Sequence, residues 1–187
     1  SDGRHTAAGW KATQFIPGQV RGRIDETAQM ALRLDTAMAE VALPTGQRDD
    51  VFARAERAAW GETGEAYRPA LLADVPLIPA HTALLTTTVY HGANPPGIVD
   101  IVPSEFPRPA GWSAALVIVD GLIAQAVDDE ICQRFSHVPG MQELLLRAVS
   151  YRRHINDLHP ASRSNTRSHI ERVEQYLVSR ASAILER

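Results

Sequence analysis

Residues 112–127 read WSAALVIVDGLIAQAV, the longest near-continuous apolar run in the chain, and the way this run folds decides the architecture. As a β-hairpin it splits into AALVIV and LIAQAV around Asp120-Gly121, a type I′ turn pair next to β-branched residues. As a helix it extends from about Trp112 to Phe135. Gly121, Gln125, Asp128 and Asp129 then fall three to four apart as one polar stripe. Ser113 stands where an N-cap belongs, although no Glu or Gln follows three residues later to complete a capping box. Against the helix are Gly121, which costs about 1 kcal/mol relative to Ala in a helix interior, and the β-branched trio Val117, Ile118 and Val119. For it is the continuation of the pattern through Ile131, Cys132 and Phe135 with no turn residue after Gly121. Helix is the favoured reading and hairpin the alternative. Either way the run belongs at the centre of a core, and sixteen residues with Asp120 among them are too few to cross a membrane.

Upstream, Trp10 and Phe15 are positioned to pin an irregular arm at 1–20 onto the body, and Ile16-Pro17-Gly18 forms a turn. From about Gln19 or Arg23 to Leu43, Ile24, Ala28, Ala31, Leu34, Met38 and Val41 recur at helical spacing, with Asp25 and Glu26 at the positive end. Pro44-Thr45-Gly46 stops that helix. A second is predicted over 49–60, with Arg54, Glu56 and Arg57 facing water. Three prolines in 67–79 allow no more than a helical turn near Leu71-Leu72. LLTTTVYH at 84–91 and IVDIV at 98–102 predict two strands joined by the turn cluster at 92–97.

Downstream, a helix is expected over 141–158, with Arg147, Arg152 and Arg153 on its outer face, and His159-Pro160 ends it. A last helix over about 166–185 buries Ile170, Val173, Leu177, Ala181 and Ile184. The prediction is an α+β, predominantly helical fold: an N-terminal αα-hairpin, a central β-hairpin, a buried central apolar element and two C-terminal helices. One globular domain over 21–187 follows the arm, with a weak subdomain boundary within 61–79.

The composition, 44% hydrophobic and 22% charged, suits a folded domain and not a disordered chain. Cys132 is the single cysteine, so no intramolecular disulfide and no cysteine-based zinc site can form. That suits a cytoplasmic location. No secretory apolar region is present, although a cleaved signal would leave no trace. Lys11 stands alone against eighteen arginines, a genomic, bacterial-like composition bias. The net charge of −3 divides into −7 over 1–144 and +4 over 145–187. A basic segment on an acidic body fits an anionic partner, or two parts of one domain that attract each other.

The chain has no P-loop, no Rossmann glycine pattern, no HExxH and no GxSxG. Four constellations remain. Tyr90-His91-Gly92 ends a predicted strand, where glycine admits a close ligand and His offers a proton. The same triplet is similar to the first strand of some ADP-ribosyl transferases, without the downstream motif that would carry the family. His154, Asp157 and His159 could present imidazole and carboxylate to a divalent metal, with His169 or a distant acid needed to complete the set. Arg152, Arg153, Arg163 and Arg167 could converge around the loop at 159–165, whose hydroxyls precede a helix N-terminus suited to phosphate. Asp120, if buried, needs a partner such as a C-terminal arginine.

The expected function is a binding module whose Arg-rich C-terminal helices hold nucleic acid or a phosphate-bearing ligand. The alternatives are an enzyme on a phosphate-bearing or nucleotide substrate, with His91, His154 or His169 as catalytic groups, and a structural or oligomerisation domain with a protein partner. No cofactor, no resident metal and no membrane partner are expected.

Overall fold

A computed structural model describes residues 15–42, 46–162 and 164–185. In chain order the elements are β1 (Gln19–Val20), α1 (Ile24–Met38), α2 (Val51–Gly61), a 3-10 turn (Pro69–Leu72), β2 (Leu77–Ile78), α3 (Leu84–Thr87) and β3 (Thr88–Tyr90). Then follow β4 (Gly97–Ile98), β5 (Arg108–Pro109), α4 (Trp112–Ile123), α5 (Ile131–Arg134), α6 (Met141–Leu158) and α7 (Ser164–Leu185). The fold is α+β and predominantly helical, as the hydrophobic periodicities predict.

The central run is a helix, so the hairpin alternative falls. Every residue of α4 from Trp112 to Val119 is buried, as are Gly121 and Leu122. A helix enclosed on all sides has no need of a polar stripe, and packing overrides the weak helix propensity of Val117, Ile118 and Val119. Gly121 serves a close approach. A Cβ there would lie 2.7 Å from Ile24 Cγ2 of α1 and 2.9 Å from Val127 Cγ1. The expected continuation to Phe135 is corrected. Gln125 adopts φ +54°, and the Ala126 N–H to Gly121 O and Gln125 N–H to Leu122 O bonds close a Schellman end without the usual glycine. Ile131, Cys132 and Phe135 are still buried, carried by the separate α5 turn and its end. Ser113 does not cap its own helix; its hydroxyl instead accepts the His81 N–H at 2.9 Å.

The most extensive packing contacts run α1 on α4, α2 on α6, α6 on α7 and α4 on α6. The two N-terminal helices thus each lie on a core helix. Trp112 is the hub: its ring meets Trp60 of α2 edge-on at 5.1 Å and Tyr151 of α6 at 6.1 Å. Arg147, expected on the outer face of α6, is buried against α2. It pairs with Glu143 at 2.7 Å and donates to the Ala59 and Glu62 carbonyls at the end of α2, groups that a buried helix terminus would otherwise leave unsatisfied. Glu56 is also buried instead of facing water, and is paired with Arg108.

The predicted β-hairpin exists in shorter form. The segment 84–91 divides into the α3 turn and β3, which pairs antiparallel with β4 in the register Thr88↔Ile98 and Val89↔Gly97. β1 adds on the other side, Gln19 opposite Tyr90, so the sheet order is β1-β3-β4. Residues 19 and 20 are therefore strand and not the start of α1. β2 and β5 form a second antiparallel pair. Phe15 is 84% exposed and pins nothing, while Trp10 lies outside the described residues. The side chain of Ile184 also lies outside the described residues.

Candidate functional site

A broad cleft opens between the C-terminal half of α1, residues 70–76 and the segment that leads into α6. Its volume is about 720 Å³, within the range of small-molecule sites. Leu32, Leu71, Val75, Ile78 and Val138 give it apolar walls, and Thr36, Asp74 and His137 stand exposed around it. Asp35 and Gly111 line it as well.

Asp35 is placed there by helical geometry. Ile24, Ala28, Ala31, Asp35 and Met38 follow one another at three- and four-residue steps, so the acid occupies a position on the buried stripe of α1. Its carboxylate accepts the Gly111 N–H at 2.6 Å and a hydrogen bond from the Ser113 hydroxyl. It thereby caps α4 from another helix, at the positive end of the α4 dipole. Gly111 itself has φ +97°, and a Cβ there would press on Leu144 and Val138 at 3.0 Å. Burial nevertheless pushes the Asp35 carboxyl up to about 6, outweighing the two hydrogen bonds that pull it down.

Four acids are buried among the described residues: Asp35, Glu56, Glu105 and Glu143. Glu56 pairs with Arg108, Glu105 with Arg57 and Glu143 with Arg147. Among the described residues Asp35 forms no ion pair and no arginine lines its cleft. Sequence reasoning passed over it in favour of Leu34. The available signal was an acid at a stripe position of an otherwise apolar helix face.

The residues singled out by sequence are spread over several places. Tyr90 is a core residue: its hydroxyl shares a 2.6 Å hydrogen bond with Thr27 of α1, and Arg23 lies over its ring. His91 is exposed and meets Asn94 at 3.4 Å. Arg152 grips Asp120 through Nε and Nη2 at 2.6 and 2.7 Å, the arginine partner that a partly buried Asp120 requires. Arg153 and His154 converge on the Glu62 carboxylate, with His154 Nε2 at 2.7 Å, and Arg153 also reaches Glu174. Burial would push Glu62 up, but bonds from Tyr67, His154 and Arg153 hold it down at about 2. Arg167 pairs with Asp157. His159 Nδ1 accepts the Ala161 N–H, and His169 sits half-buried on α7. Arg163 lies outside the described residues.

His154, Asp157 and His159 are thus each bonded to a different partner, and no group of three or more metal-binding side chains occurs among the described residues. Two hollows of about 450 and 370 Å³ lie where α6 meets α7. Arg152, His159 and Thr166 line the first, and Asp157, Ser164 and Arg167 the second. Among the described residues no helix is long and apolar enough to cross a membrane. Comparison with protein-family models, curated proteins and solved structures finds no match to this chain.

Proposed function

We propose that this protein is a binding module that takes up a small, largely apolar molecule in the cleft beside Asp35. The observation that carries the reading is the cleft itself, about 720 Å³ of apolar-walled space open to solvent with one buried carboxylate in its lining. The fold needs an acceptor for the Gly111 N–H at this position. An amide would supply one without the cost of a buried charge. An acid retained in a cleft against that cost is the pattern of a functional site. N-phenyl-1-naphthylamine, a neutral dye whose emission rises in apolar surroundings, tests the reading. Saturable binding is expected, with loss in Thr36→Trp, which places an indole in the cleft from an exposed position of α1. No binding, or binding indifferent to this substitution in a folded variant, overturns it.

A second reading keeps the C-terminal arginines as a site for a phosphate-bearing ligand or nucleic acid. It is supported by the hollows at the α6–α7 junction, with Arg152, His159 and Arg167 in their walls. An anion there must compete with Asp120 and Asp157, which already hold Arg152 and Arg167. Titration with inorganic phosphate and a short oligonucleotide at low and high salt tests it. Binding that weakens with salt and disappears in Arg167→Ala supports the reading; binding unchanged by either sinks it.

A further inference from the structure

We infer that the ligand of the Asp35 cleft is an organic cation, a molecule with an apolar body and an ammonium or comparable cationic head. This rests on the cleft being a binding site and goes further by naming the charge of what enters it. The argument begins with the buried acids. Three of the four are matched by an arginine, and the fourth, Asp35, lines a solvent-accessible cleft in which, among the described residues, His137 at the exposed edge is the one basic side chain. Among the described residues no arginine lines this cleft.

An ionised carboxylate has about four lone-pair positions, and the Gly111 N–H and Ser113 O–H use two of them. Acceptor capacity therefore remains on the group. The start of α4, a source of positive potential at this cleft, is already engaged by Asp35. Asp74, exposed at the rim, adds a second negative charge along the way in, which raises the local concentration of cations. The apolar walls then take the body of the ligand, and a charge-assisted hydrogen bond to Asp35 fixes its head.

Octylamine, octanol and octanoate share one tail and differ in the charge of the head, so their competition against bound N-phenyl-1-naphthylamine at pH 7.5 isolates that charge. Octylammonium is expected to displace the dye at a concentration about tenfold below octanol, the equivalent of one such hydrogen bond, with octanoate weakest. Asp35→Asn should remove most of that preference, bringing octylammonium and octanol to similar competing concentrations. Asp74→Asn, at an exposed position, should reduce it in part. Octanol or octanoate competing as well as octylammonium, with the dye still bound, overturns the cationic ligand and leaves the cleft reading standing. Failure of the dye to bind removes the cleft reading and this inference with it.

Discussion

Replacing Asp35 by Asn should stabilise the protein at neutral pH and change little at pH 4. The carboxyl is raised from 3.8 to about 6 by burial. A raised acid favours the folded state fully below its unfolded value, and that advantage is lost as the pH climbs through the folded value. Between about pH 4 and pH 6 the shift of ~2 units corresponds to about 3 kcal/mol, at ~1.36 kcal/mol per unit. The substituted amide retains a carbonyl oxygen for the Gly111 N–H and the Ser113 hydroxyl, so the cap on α4 survives without the buried charge. The difference in unfolding free energy between variant and parent should therefore be near zero at pH 4 and approach about 3 kcal/mol in favour of the variant above pH 7. For a chain of this length each kcal/mol moves the melting temperature by ~2–4 °C. Urea unfolding followed by tryptophan fluorescence is a suitable assay, because Trp112 is fully buried against Trp60. A difference curve that stays flat from pH 4 to 8 would refute the reasoning.

Other substitutions probe the remaining framework. Arg147→Met leaves the Glu143 carboxylate buried and the Ala59 and Glu62 carbonyls without their donor; it should cost about 3–5 kcal/mol by chemical denaturation. Adding Glu143→Gln should recover part of this loss, since it removes the stranded charge. Gly121→Ala gains about 1 kcal/mol of helix propensity but drives a methyl into Ile24 and Val127. Overpacking of this kind costs ~1–3 kcal/mol, so the variant should melt below the parent, and a higher melting temperature would contradict the tight α1–α4 contact. Glu62 is held at about 2 against an ordinary 4.5, so its contribution is present above pH 4.5 and lost as the pH falls toward 2. Glu62→Gln should lower stability at pH 7 and flatten the acid limb of the unfolding curve below pH 4.5.

The helices that carry one apolar stripe were legible in outline, although α1 ends at Met38 and not near Leu43, Val41 and Leu158 are exposed, and Arg147 is buried. The bounds of α6, Met141 to Leu158, follow from its periodicity and from the proline after His159. The buried positions Ile170, Val173, Leu177 and Ala181 of α7 follow in the same way. Burial of the 112–127 run was equally clear, because so long an apolar stretch has no other favourable place in water. Its shape was less so: a segment enclosed on all sides has no alternation to reveal its period, and its end rests on Gln125 in a conformation that Gly usually marks.

The candidate site belongs to the tertiary structure. Composition established an acidic body with a basic C-terminal segment, but only the fold decided which charges meet: Arg152 with Asp120, Arg153 with Glu62, Arg147 with Glu143. These partners are 32, 91 and 4 residues apart, and the first two pairings are set by how α4 and α2 lie on α6. Asp35 makes the point most plainly. Its place on the stripe of α1 was written in the spacing of Ala28, Ala31 and Met38. That it meets the start of α4, borders an apolar cleft and lacks an arginine depends on distant chain segments, Gly111 being 76 residues further on, because electrostatic environment is a property of neighbours in space.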